Sequence, residues 1–395
     1  MIQKTNRKRK ARMENNTTTI EKRPFWSKKM TGILKSVAII LMFIHHFFSI
    51  QRYLPSDHPY AWAADFEKYF TAPTKSCVAI FAFITGYMYF FSKKKSFESS
   101  LKSCGNLLIR YWVIAFPLLA LAVVSGVYQA SFSNIILELF GLQGNVMCFA
   151  WYVYFYLFIM LFLPLMVKLF RNKTWLLLLL LFLAFNFLFS PIYALISNDL
   201  LSFKTIVSNC WITLFPTVMG YAIAGSDLYS RVKKQLDKVP SFLRALLLIV
   251  LLGASFMAPY LFYFDFVELF HVGRFTFGLA INGYAFYIPV FIFCLVELLS
   301  FLENKKAIRV FEILGKYSVY MWFWHCMFFG ALSRYTKRVL YAPRNPILVL
   351  IWGILICLSF SVVSDLVAQA ILSLFKKNAH PKDAHQDKAG SKEET

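Results

Sequence analysis

Long apolar stretches alternate with short polar segments over most of this 395-residue chain. A helix crosses a bilayer with roughly 17 to 25 mainly apolar residues. Ten stretches approach or exceed that length, and they lie near residues 33–50, 75–91, 105–127, 149–169, 174–193, 206–225, 242–263, 277–299, 311–332 and 346–375. The pattern predicts an all-α fold, a polytopic integral membrane protein with about ten transmembrane helices in one bundle.

The two ends of the chain are polar and lack this pattern. We predict a disordered basic cytoplasmic tail over residues 1–29, a membrane domain over 30–375 and a second disordered cytoplasmic tail over 376–395. The first apolar stretch continues into further stretches, so we expect no cleavable signal peptide.

The distribution of Lys and Arg predicts how the chain is oriented. The first 35 residues hold eleven Lys and Arg against two Glu, and the segments after predicted spans two, four, six and eight are also basic. Cytoplasmic loops carry this excess. We therefore expect a multi-pass protein of the cell membrane, in contact with membrane lipids, with both termini in the cytoplasm.

One predicted external loop breaks this charge rule. Residues 333–345 hold Arg334, Lys337, Arg338 and Arg344 and no acid. Three interpretations stay open: earlier segments already set the orientation, the cations attract an anionic external acceptor, or the span count is wrong here.

Composition excludes other classes of protein. The chain is 58% hydrophobic with a mean hydropathy of +0.57, too apolar for a soluble domain of this length. Its net charge of +22 is scattered among short loops, so we expect no nucleic-acid partner. The seven cysteines show no spacing typical of a metal site, and we expect no metal.

Two adjacent histidines, His45 and His46, lie inside the first apolar stretch. Lys35 precedes His46 by eleven residues, which at about 100° per residue places both side chains on nearly one helix face. The rise between them is about 16 Å, roughly half the hydrocarbon thickness. We therefore expect His46 to be the reactive imidazole and His45 to be supporting or structural.

Further ionisable residues fall at two predicted depths. Lys35, Arg110, Glu297 and Asp365 lie towards the cytoplasmic ends of their spans, and His325 lies in the outer half with His46. Such residues are costly in hydrocarbon and are functional candidates. The alternatives are that Lys35 and Arg110 extend to the membrane surface, that His325 bonds a neighbouring helix, and that Glu297 and Asp365 pair with inner cations.

Several ordered motifs carry a family resemblance. They are Lys35-x10-His46, residues 80–87 (IFAFITGY, with Thr85 in place of Ser), Arg110 with Pro117, Trp151-Tyr152 with Pro164, and residues 314–325 (LGKYSVYMWFWH). Together they resemble the membrane-bound acyltransferase family 3 of bacterial glycan O-acyltransferases. The chain departs from the family pattern at three positions. Lys35 stands where the family more often has Arg, Leu107 stands where it has the first Arg of an Arg-x-x-Arg pair, and Val319 stands where it has Tyr.

The resemblance implies an O-acyltransferase that takes an acyl group, most often acetyl, from cytoplasmic acyl-coenzyme A. The acceptor would be a hydroxyl of a cell-envelope glycan or exopolysaccharide, and polysaccharide-biosynthesis proteins are possible partners. Acyl-coenzyme A would be the donor substrate, with no cofactor bound permanently. Lys35 and Arg110 would bind its phosphates.

In the hypothesis that follows, His46 is the general base that removes the acceptor proton. Ser318 or His325 would orient the acceptor or the oxyanion, and His45 would support His46. A transient acyl-histidine stays open beside direct transfer. The runner-up is a transporter or flippase for a glycan or lipid-linked intermediate, although neither an inverted repeat nor paired broken helices are evident. A purely structural or sensory membrane protein is the third interpretation.

Overall fold

The computed structural model describes residues 23–48, 73–170, 173–181, 183, 201–261, 267–272, 275–279, 284–300, 306 and 308–379. Residues 1–22 and 380–395, which belong to the two predicted tails, lie outside the described residues. So does most of the predicted span 174–193.

Helices account for nearly all of the described structure. They are α1 (Lys28–Phe48), α2 (Ser76–Phe90), α3 (Phe97–Val124), α4 (Phe132–Leu139), α5 (Trp151–Phe170), α6 (Leu201–Ser226), α7 (Leu228–Leu236), α8 (Ser241–Leu261), α9 (Tyr284–Ser300), α10 (Ile308–Trp324), α11 (Ser333–Tyr341) and α12 (Pro346–Ala379). Residues 174–181 are also helical, and a 3₁₀ turn, His325–Phe328, follows α10. The predicted helical architecture is thus confirmed.

Five helices are long and apolar enough to cross a membrane, counted within the described part of the chain. They cover Lys28–Phe48, Phe97–Val124, Trp151–Phe170, Ser241–Ala258 and Pro346–Phe375. Ser76–Phe90 and Tyr287–Ser300 are apolar but shorter. The number of about ten spans therefore stays a prediction.

Three segments differ from the predicted pattern of spans and loops. A two-stranded antiparallel hairpin, β1 (Val267–Val272) and β2 (Phe275–Leu279), occupies the region before α9 and includes the start of predicted span 277–299. The predicted external loop 333–345 contains α11, and the predicted span 311–332 is helical only to Trp324 before the 3₁₀ turn. Apolar content alone did not separate the hairpin and the 3₁₀ turn from membrane helices.

The helix bundle has two opposite ends, which we call the Lys35 end and the His46 end after residues of α1. The Lys35 end holds the start of α1, the end of α2 and the starts of α3 and α10, as contacts between Thr31 and Met88 and between Lys29 and Glu312 indicate. The His46 end holds the end of α1, the start of α2, the segment before α5 and the 3₁₀ turn. The two predicted layers of polar residues therefore fall at different levels of one bundle.

Close backbone contact between α1 and α10 fixes the two helices that carry most of the predicted site. Gly315 of α10 lies against the backbone of Gly32 of α1, so a Cβ atom added at Gly315 would overlap the Gly32 carbonyl oxygen. Small residues allow membrane helices to approach in this way. The contact keeps Lys35 and Ser318 on facing helices.

Gly315→Ala should lower the stability of the folded protein, because the added methyl group forces α1 and α10 apart. We expect a cost of about 1–3 kcal/mol, typical of overpacking. Gly105→Ala is the matched control, since no atom lies within 4 Å of a Cβ atom there. Thermal unfolding of both variants in the same detergent measures the difference, and equal unfolding temperatures would contradict this packing.

Candidate functional site

A cavity of about 420 Å³ lies at the Lys35 end of the bundle. It is lined by Thr31, Lys35, Phe81, Ile84, Thr85, Met88, Tyr89, Ser103, Asn106, Leu107, Arg110, Tyr152, Tyr156, Met160, Ser318, Val319, Trp322 and Phe323. These side chains come from α1, α2, α3, α5 and α10. Three of the predicted site residues, Lys35, Arg110 and Ser318, thus share one cavity.

Two cations face each other in this cavity. Lys35 and Arg110 lie close enough for their charges to repel. Within the part of the chain that the structure describes, no carboxylate forms an ion pair with either of them, and the buried Arg110 Nε has no hydrogen-bond partner. The Arg110 guanidinium carbon lies 5.9 Å from the centre of the Tyr320 ring. Uncompensated cations in a cavity favour an anionic ligand.

Ser318 lies in the cavity wall, apart from the histidines. Its hydroxyl is buried and donates to the Gly315 carbonyl at 2.9 Å within its own helix. Neither His46 nor His325 lines this cavity. Ser318 is therefore placed with the residues predicted to bind the acyl donor, and its role in catalysis stays a prediction.

The three predicted histidines meet at the His46 end. The His46 ring centre lies 5.1 Å from that of His325 and 4.9 Å from that of His45. Phe149 packs against both reactive candidates, with ring centres 3.8 Å from His46 and 5.1 Å from His325. Residues separated by about 280 positions in sequence therefore form one cluster of rings.

Hydrogen bonds assign the protonation of one imidazole. The Nδ1 atom of His325 contacts the Trp322 carbonyl oxygen, which can only accept, so this nitrogen carries the proton. In the neutral ring Nε2 is then an acceptor, and it is buried without a hydrogen-bond partner, as is Nδ1 of His46. His45 differs, because its Nδ1 lies 3.4 Å from the Thr74 hydroxyl. Thr74 lies two residues before α2, and the supporting role of His45 stays a prediction.

Aromatic side chains separate the cavity from the histidine cluster. Trp322 packs against Phe81 and Tyr152, with ring centres 5.4 and 5.2 Å away, and all three line the cavity. The Trp322 indole donates to the Phe149 carbonyl at 2.9 Å. Trp322 therefore lines the cavity and also contacts His325 and Phe149.

A buried carboxylate holds the segment that carries Phe149. Glu138 Oε1 accepts from the backbone N–H groups of Asn145 at 2.6 Å and Val146 at 3.1 Å, and Oε2 accepts from that of Met147 at 3.1 Å. Burial raises the pKa of the Glu138 carboxyl, and these three N–H groups oppose the shift. Fixing residues 145–147 places Phe149 against the imidazoles.

Glu138→Gln should loosen this segment, because an amide N–H₂ would face at least one backbone N–H donor. An unsatisfied buried group costs about 1–3 kcal/mol. We expect a lower unfolding temperature. Glu98→Gln, on the exposed first turn of α3, is the control for the same charge change. Unchanged stability of the Glu138 variant would show that the carboxylate does not hold the segment.

The remaining predicted carboxylates pair with cations or amides. Glu297 lies 2.7 Å from Lys233, and Asp365 accepts from Gln369 at 2.8 Å and lies 3.9 Å from Lys316. This agrees with their interpretation as structural partners. In the described residues, no three His, Cys, Asp or Glu side chains are grouped so as to hold a metal ion.

Sequence reasoning missed Phe149, Glu138 and the role of Trp322. Glu138 stands in a segment without Lys or Arg, and that isolation was the available signal. Phe149 is one of 43 phenylalanines and has no distinguishing pattern. Trp322 fell inside the quoted motif but was not assigned a role.

Comparison with known proteins identifies the family. No curated protein and no solved structure matches this chain significantly. A family model described as an acyltransferase domain does match, and it covers residues 32–366, from the start of α1 into α12. With its long apolar helices, the chain is a membrane protein, and it belongs to acyltransferase family 3.

Proposed function

We propose that this membrane acyltransferase moves an acyl group, in the simplest case acetyl, from cytoplasmic acyl-coenzyme A to a hydroxyl of a cell-envelope or extracellular polysaccharide. One observation carries the proposal: α1 joins a cationic cavity at Lys35 to an imidazole cluster at His46. A polyanionic donor suits the first site, and activation of a hydroxyl suits the second.

The cavity has the chemistry that an acyl-coenzyme A molecule requires. Lys35 and Arg110 present charge to phosphate groups, and the volume of about 420 Å³ lies in the range of ligand pockets. The aromatic wall of Phe81, Tyr152 and Trp322 lies on the path towards His46. The thioester would reach the imidazoles along this wall, which favours a small acyl group.

His46 acts as the general base in this proposal. The acceptor hydroxyl oxygen attacks the thioester carbonyl carbon, a new C–O bond forms and the C–S bond breaks. His46 takes the hydroxyl proton and returns it to the leaving sulfur, so that no net charge stays on the protein. The unpartnered Nε2 of His325 is an acceptor that can orient the hydroxyl. His45 holds α1 against α2, and Ser318 contacts the donor in the cavity.

Orientation follows from where the basic segments gather. Lys29 and Arg309 lie at the Lys35 end, as does the segment Lys93–Lys95 that follows α2. Under the positive-inside rule this end faces the cytoplasm. Both termini would then be cytoplasmic in a bundle of about ten spans, and His46 would face an acceptor on the outer side.

Purified protein in liposomes with radiolabelled acetyl-coenzyme A tests the proposal. The acceptor is envelope polysaccharide from cells that lack this protein. We expect label in the polysaccharide, together with release of free coenzyme A. Movement of unlabelled polysaccharide across the membrane without any need for acetyl-coenzyme A would instead make the chain a transporter.

A further inference from the structure

The helix α11 presents cations beside the histidine cluster. It is short and amphipathic, with Leu340 and Tyr341 buried and Arg334 and Arg338 exposed. The two arginines are four residues apart, so they project from one face of the helix. Arg344 follows α11 in an exposed turn and adds a further cation.

Hydrogen bonds attach α11 directly to the segments that carry the imidazoles. The Tyr341 hydroxyl donates to the carbonyl of Phe47, the residue after His46, at 2.9 Å. The Thr336 hydroxyl donates to the carbonyl of Met327, two residues after His325, at 2.6 Å. The cationic face of α11 is therefore fixed at the His46 end, away from the Lys35 cavity.

Arg334 and Arg338 have no acidic neighbour in their own segment. Residues 333–345 contain no acid, and within the described ranges no carboxylate pairs with Arg334 or Arg338. Like charges four residues apart disfavour a helix, so folding alone does not explain them. Their position on the predicted outer side also runs against the positive-inside rule.

We propose that α11 is the acceptor-binding surface and that the acceptor is an anionic glycan. Arg334 and Arg338 would bind carboxylates or phosphates of the sugar chain, which carries a hydroxyl towards His46. Arginine suits such groups because its guanidinium donates two parallel hydrogen bonds. This inference rests on the proposed acyl transfer and adds the chemical class of its acceptor.

Binding of defined oligosaccharides tests the inference without requiring transfer. The full chain is placed in nanodiscs of phosphatidylcholine, and binding of oligogalacturonate is compared with that of maltooligosaccharides of equal length. We expect the anionic sugar to bind more tightly and to weaken as salt rises. The double variant Arg334→Gln/Arg338→Gln should bind it about tenfold more weakly.

Two further variants make the result specific. Arg334→Lys/Arg338→Lys should retain most of the binding, and Arg309→Gln, an exposed cation at the Lys35 end, should bind like the unmodified chain. Equal binding of neutral and anionic sugars, or an equal loss in the Arg309 variant, would overturn the inference. So would effects of the two arginines that appear only in nanodiscs with anionic lipid, which would make α11 a lipid contact. Coenzyme A release, measured separately, reports on the proposed transfer itself.

Discussion

His46→Ala should lower acyl transfer by about 10²- to 10⁴-fold, the contribution typical of a general base. The loss should fall on the rate of transfer, with binding of acetyl-coenzyme A nearly unchanged, because His46 does not line the Lys35 cavity. Initial rates with the same acceptor, normalised to correctly folded protein, measure the effect. Added imidazole should restore part of the rate, since it can occupy the space that the side chain leaves.

His45→Asn provides the comparison within the same helix. Asparagine can keep a hydrogen bond to Thr74, the contact that His45 makes in the structure. We therefore expect less than a tenfold loss, about 1.4 kcal/mol, in this variant. Equal losses in the two variants would contradict the assignment of the base to His46.

Removal of the two cavity cations should weaken donor binding. We expect the KM for acetyl-coenzyme A to rise at least about 100-fold in the variant Lys35→Gln/Arg110→Gln, since each charge-assisted hydrogen bond contributes about 1.5–3 kcal/mol and about 1.4 kcal/mol is a factor of ten. The maximal rate at saturating donor should change much less, because the imidazoles lie at the other end of α1.

Two further variants test whether the KM depends on a positive charge and on its position in the cavity. Arg110→Lys should recover part of the affinity, and Lys173→Gln, an exposed cation outside the cavity, should leave the KM unchanged. A double variant with normal KM would show that the donor phosphates bind elsewhere.

Local periodicity predicted the parts of this site that lie on single helices. Lys35 and His46 share a face of α1 because eleven residues make slightly more than three whole turns, and the depth of His325 followed from the direction of its span. Contacts that depend on chain reversals were not predictable. Glu138 reaches Asn145 only because the segment after α4 folds back, and nothing in its local sequence requires that path.

Ser318 illustrates the limit of motif-based placement. It lies seven residues before His325 in one quoted motif, which grouped the two as candidates for the same role. Seven residues of helix span about 10 Å, so the hydroxyl opens into the cavity while the imidazole lies beyond Trp322. Likewise, α11 was read as a loop because charge, rather than helical periodicity, dominates its sequence.

Transfer between two compartments tests the central claim most directly. Proteoliposomes are prepared with the His46 end outward, radiolabelled acetyl-coenzyme A is sealed inside and envelope polysaccharide is added outside. We expect label on the external polysaccharide with the unmodified protein and almost none with His46→Ala. Label that appears only when donor and acceptor share one compartment would contradict acyl transfer from the Lys35 end to the His46 end.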